Sequence, residues 1–242
     1  MGNAYLTFST STGASPELAR LKGLVTGMGE LTGVQLQAAI GSTEGPDSKL
    51  ADNVIQREPE ANRMMHEIDN LVIRVLALRQ PWAIDLREVL SALRIAIELE
   101  RICDHAEDLA QRVITLRAAC VEPVHSLVNL GRFAMKMVND AMHAYTQRDT
   151  LEAQQVWSRD AELDAMYTAF FRERLTYMLE DPGRISANTQ MLFMARAIER
   201  IGDRATNIAE TVRYLVGGTP VEEERPKADA TKSLLLSTAS SQ

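Results

Sequence analysis

Apolar residues recur along this chain in steps of four and three, a spacing that keeps each run on one side of an α-helix. One stripe runs Ile95, Leu99, Ile102, Ala106, Leu109, Val113 and Leu116. Another runs Met194, Ile198, Ile201, Ala205, Ile208, Val212 and Leu215. Breakers fall at Gly41 to Pro46, Arg79-Gln80-Pro81, Glu122-Pro123, Arg148-Asp149 and Asp181-Pro182-Gly183. Between them the pattern predicts six helices, at 15–40, 47–79, 82–117, 123–147, 149–180 and 184–216. Residues 1–14 and 218–242 are rich in Ser, Thr, Gly, Pro and charge, so both ends are expected to lack fixed structure.

The two stripes correspond member by member at an offset of 99 residues. Upstream the match continues in a slipped register: Val54-Ile55-Gln56-Arg57-Glu58 aligns with Val156-Trp157-Ser158-Arg159-Asp160, and Asn62 with Asp164. The expected fold is therefore all-α, two tandem three-helix bundles related by internal duplication, spanning 15–118 and 119–217.

Composition agrees with helices, since apolar residues make up 45% of the chain and aromatics only 5%. A net charge of −7 argues against general nucleic-acid binding, because an acidic surface is repelled by phosphate. Cys103 and Cys120 form neither a disulfide framework nor a zinc spacing, which suits a reducing cytosol. No apolar run approaches the roughly 20 residues that span a bilayer, and the first residues lack the features of a secretion signal.

The chemistry of interest lies in a pair of acids. Glu100 and Asp104 stand one helical turn apart in ELERICDHAEDLA, and Glu199 and Asp203 repeat them in AIERIGDRATNIAE. At about 100° per residue, Glu100 and Asp104 point well away from the main stripe, on a face that begins apolar with Leu90, Leu93 and Ile97. Such a face reads as contacted rather than freely solvated. Neighbouring helices add Glu58 with Asn62 and Asp160 with Asp164, while Asp108 extends the first series by a turn. Clusters of carboxylate oxygens suit hard cations, which offset their mutual repulsion. Spacing alone leaves two readings open, because exposed carboxylates four residues apart are common on helices, cost only a few tenths of a kcal/mol, and would be copied by duplication in any case.

Oxidative di-iron chemistry needs Glu-x-x-His from two helices. Here Glu122-Pro123-Val124-His125 is unrepeated, and His66, His105 and His143 have no histidine counterparts. Neither a phosphate-binding glycine loop nor a nucleophile motif is present, so no catalytic residue is expected. The eleven methionines read as core filling, and Cys103, standing where the copy has Gly202, as a site of close helix packing.

With LALRQPWAIDLREV after the second helix and LTYMLEDPGRI after the fifth, the paired acidic signatures closely resemble the PhoU family of phosphate-signalling regulators over roughly residues 17–217. The resemblance implies a non-enzymatic cytoplasmic protein, a negative regulator of phosphate uptake and of the phosphate regulon. Its partners would be the ATPase of the phosphate ABC transporter (PstB-like) and a sensor histidine kinase (PhoR-like), with contact to the membrane only through them, and a homodimer is expected. Some relatives bind iron or other divalent metal through E/D-x-x-x-D motifs, which carry onto Glu100 with Asp104, Glu199 with Asp203, and Asp160 with Asp164. The resemblance thus makes Fe, Mn, Mg or Zn ions the expected cofactors, on Glu58, Glu100, Asp104, Asp108, Asp160, Asp164, Glu199 and Asp203. Glu58 with Asn62 lacks one carboxylate of the pattern, and Cys103 replaces the usual glycine.

Overall fold

The computed structural model describes residues 15–45, 48–119, 121, 123–220, 223, 225 and 227–229. The tail 1–14, Cys120, Glu122 and most of the stretch beyond Pro220 lie outside the described residues.

Seven α-helices follow in order: α1 (Pro16–Ser42), α2 (Ser48–Arg79), α3 (Ala83–Ala118), α4 (His125–Gln147), α5 (Thr150–Ser158), α6 (Asp160–Glu180) and α7 (Ile185–Gly217). No strand occurs among the described residues. Local chemistry sets several ends. Ser15 caps α1 by accepting from the Leu18 amide, with Pro16 in the first turn where its missing N–H costs nothing. Asp149 caps α5 through the amides of Leu151 and Glu152. Gly218 ends α7 at φ 81°, a left-handed turn that only glycine adopts freely.

The predicted fifth helix, 149–180, is in fact two. It breaks at Arg159, and α6 starts with Asp160. The first copy is disturbed at the same level, because Pro59 inside α2 has no N–H to give the carbonyl of Ile55. Both interruptions adjoin the acid on that helix, Glu58 in one copy and Asp160 in the other.

Helices α1, α2 and α3 pack on one another, as do α4, α5, α6 and α7, which makes two antiparallel bundles. The central members, α3 and α7, also pack on each other, and α1 rests on α4, so a single hydrophobic cluster runs through both bundles. Every member of the two predicted stripes is at most 4% exposed, from Ile95 at 0% to Leu215 at 4%. Between the bundles α3 and α7 run antiparallel along a polar seam. Glu98 accepts from Arg204 and Asn207, and Arg112 reaches Gln190 while stacking on Phe193.

Cys103 and Gly202 both sit where helices approach closely. The Cys103 thiol is buried against Leu31 and Ala61 and lies 3.4 Å from the Thr32 hydroxyl. At Gly202 an added Cβ would collide with the side chain of buried Leu163. Gly202→Ala is therefore expected to lower stability to denaturant by about 1–3 kcal/mol despite alanine's better helix propensity. The loss should shrink in a Leu163→Ala background, where the obstructing methyl is gone. Additive losses would place the cost elsewhere.

Candidate functional site

The two repeats bring their acids together on the side of α3 and α7 that faces the preceding helix of the same bundle. In the first bundle Glu58 of α2 approaches Glu100 and Asp104 of α3. Glu100 is half-buried and Asp104 is exposed. Partial loss of water around them pushes both carboxyls up. Asp104 and Glu58 reinforce the shift of Glu100, Glu58 reinforces that of Asp104, and Arg101 offsets part of each. Asn62, which stands where a second acid would complete the pattern, donates a short hydrogen bond to Glu58.

In the second bundle the matched residues are Asp160 and Asp164 of α6 and Glu199 and Asp203 of α7. These lie deeper. Asp160 and Asp164 are each 2% exposed and Glu199 is 4% exposed. The acidic turn of the second copy is therefore covered by the chain itself. The cause is the segment after α7, expected to lack structure. From Gly218 it turns back along α7, placing Glu223 beside Arg213, Arg225 beside Asp203 and Asp229 beside Arg196. Asp160 accepts a two-pronged contact from the Arg225 guanidinium, at 2.7 and 2.8 Å, and a further hydrogen bond from Thr206.

Glu199 is the least satisfied of the set. Its Oε1 lies 3.1 Å from Arg196, but its buried Oε2 has no hydrogen-bond partner. Burial, reinforced by Asp203, pushes its carboxyl up to about 7. Asp108 stands apart from the first cluster and pairs with Arg112 at 3.0 Å, beside the α3–α7 seam. Eight residues turn a helix about 80° beyond two full turns, which carries Asp108 off the face of Glu100.

The fit to a metal ion differs between the copies. The donors are hard oxygens, as Mg²⁺, Mn²⁺ or iron require, and the orphaned Glu199 Oε2 is the kind of atom an ion would satisfy. Yet among the described residues no three Asp, Glu, His or Cys side chains converge closely enough, as they stand, to hold one ion. The first cluster fits by its partly open, mutually repelling carboxylates, whereas in the second Asp160 and Asp203 are already paired with Arg225. Arg225 escaped the sequence reading because composition marked its segment as loose. Its signal was an arginine near a run of acids just beyond a helix-ending Gly-Gly.

His105 and the Cys103 thiol are poor candidates for chemistry. Burial, together with Arg200 and Arg204, holds His105 below its ordinary value, and burial pushes the Cys103 thiol up to about 12.

Two outcomes follow. Native Cys103 should resist thiol reagents at pH 8 and react only on unfolding, as a time course with and without denaturant would show. Glu199 holds its proton to about 7 in the fold, against an ordinary value of 4.5, so the folded state binds more protons across that interval and stability falls as pH rises through it. In chelator-treated protein, Glu199→Gln should stabilise by something on the order of 2 kcal/mol at pH 8 and by little at pH 4. Equal effects at both pH values would contradict the assignment.

The chain was compared with known proteins. A family model described as the PhoU domain matches it twice, over residues 25–113 and 127–212. The chain is 42% identical over 221 residues to a phosphate-specific transport system accessory protein PhoU homolog from Xylella fastidiosa, covering 91% of this chain and 93% of the relative. To a homolog of the same description from Caulobacter vibrioides it is 39% identical over 228 residues, covering 93% and 98%. Its fold is similar to the crystal structure of PhoU from Pseudomonas aeruginosa, with a TM-score of 0.82, 38% identity and coverage of 84% of this chain and 98% of that one. It is also similar to that of the phosphate transport system regulatory protein PhoU from Streptococcus pneumoniae, with a TM-score of 0.76 and 26% identity over 86% of this chain and 98% of the other. With both repeats matched and the relatives covered almost end to end, the chain belongs to the PhoU family.

Proposed function

We propose that this protein is a non-enzymatic accessory protein of phosphate transport that restrains uptake and keeps the phosphate regulon off when phosphate is plentiful. In this reading it bridges the ATPase of the phosphate ABC transporter (PstB-like) and the membrane sensor histidine kinase (PhoR-like) from the cytoplasm, as a homodimer. Support comes from the relatives, described as accessory proteins of the phosphate-specific transport system, and from the absence of any helix long and apolar enough to cross a membrane among the described residues.

The observation that carries the mechanism is the pair of carboxylate clusters at matched positions of two rigidly joined bundles. Two such surfaces on one shared core can address two partners at once. Charge complementarity then governs partner choice and encounter rate. Divalent metal (Fe, Mn, Mg or Zn) would be held by Glu58, Glu100 and Asp104 in the first bundle and by Asp160, Asp164, Glu199 and Asp203 in the second. It would neutralise the repulsion and convert an acidic face into one that accepts anionic or acidic surfaces.

Deleting the gene should leave phosphatase expression high in phosphate-rich medium, and restoring the intact chain should repress it again. Expression that stays low without the protein rules the regulatory role out. Protein purified without chelator should carry divalent metal, and Glu100→Ala with Asp104→Asn should remove the share held by the first cluster. Full retention of metal would assign it to other residues.

A further inference from the structure

The matched clusters differ in one respect that duplication does not explain. Asp104 of the first is exposed, while the second is covered by residues from beyond the repeat. Gly218 reverses the chain after α7, and the returning segment is fixed at successive points rather than merely lying near the acids. The Arg225 guanidinium takes both oxygens of Asp160 and also reaches Asp203 Oδ1 at 3.0 Å. The Ala228 amide donates to Asp164 Oδ2 at 2.9 Å. Asp229 meets Arg196, the same side chain that holds Glu199 Oε1. So the acids matched to Glu58, Asn62 and Asp104 are each engaged, and Glu199 is the member left with a buried oxygen that no group satisfies.

A planar, two-pronged guanidinium on a buried carboxylate is a strong charge-assisted contact, and it uses the very oxygens that an external cation would need. Because the segment is tethered a few residues from the end of α7, it faces the cluster at a high effective concentration and competes with any free ion. Glu58 in the first bundle instead receives a neutral amide from Asn62.

We propose that the C-terminal segment bearing Arg225, Lys227, Ala228 and Asp229 is a built-in plug: Arg225 serves as the resident cation of the second acidic cluster, and a divalent ion enters there only when the segment lifts away. The inference rests on the metal-binding reading above for its competing ion, but the plug itself exists without metal. It makes the two clusters unequal, the first loading directly and the second loading together with release of the tail. Ion binding at the second cluster thereby becomes a change in the shape of the protein's C-terminal surface.

The test uses the full chain, freed of metal and titrated with Mn²⁺, with bound ion read from the loss of the free-ion spin-resonance signal. A Glu100→Ala, Asp104→Asn background silences the first cluster, and Arg225→Ala is compared with Arg225 intact in that background. If the plug keeps the cluster closed nine-tenths of the time or more, removing Arg225 tightens Mn²⁺ binding about tenfold or more. Hydrogen exchange of the peptide containing Ala228 is followed in parallel. It should be slow in the metal-free protein, fast in Arg225→Ala, and accelerated by Mn²⁺ when Arg225 is present. Equal affinities with and without Arg225, no Mn²⁺ bound in either, or a peptide that exchanges freely before metal is added would each overturn the plug. Loss of the metal reading is separately visible, as absence of Mn²⁺ from the protein with its first cluster intact.

Discussion

Burial of the α3 and α7 stripes is what everything else in this molecule hangs on. Each central helix must hide a seven-member apolar ridge from Ile95 to Leu116 or from Met194 to Leu215, and it does so among its own bundle partners. Once those ridges are buried, the rotation of each helix is fixed. The acids, offset in angle from the ridge, can then point only toward the cleft shared with the preceding helix. The same rotation brings Glu98 to Arg204 and Asn207, and Arg112 to Gln190, at the contact between bundles.

That contact makes the two copies one object. Two bundles joined only by a linker would present their acidic clefts in varying relation. Here a continuous core and the polar α3–α7 seam hold the clefts at a set separation and orientation. Such a fixed arrangement suits the bridging role proposed above, since a surface that engages two partners gains from not having to order itself first.

Within this symmetric frame the chain places asymmetry at a few residues. Asn62 opposite Asp164 removes a charge from the first cluster, and Cys103 opposite Gly202 adds bulk beside it. Among the described residues, those beyond α7 cover the second cluster and not the first. Duplication by default supplies two equal acidic clusters, and these few differences make them unequal in charge, bulk and cover. Each copy is interrupted beside its acid, by Pro59 within α2 and by the break at Arg159 before α6, which ties the interruption to the local geometry of the acidic clefts.

The helices, the duplication and the angular position of the acids were all legible in the sequence, because helical periodicity is local and is written in residue spacing. Family membership was legible too, in the paired acidic signatures and the turns that follow α2 and α6. Three things were not. The split of the fifth helix at Arg159 has no proline or glycine to announce it. Glu98 pairs with residues more than 100 positions away, and a self-alignment, which matches each position only to its own copy, cannot reveal contacts across copies. The depth of Asp160, Asp164 and Glu199 was likewise decided elsewhere, by a polar segment whose composition reads as solvated until its arginine meets a buried carboxylate. Spacing tells a side chain which way to point, but whether water or another part of the chain waits there depends on segments distant in sequence, and only the folded structure settles it.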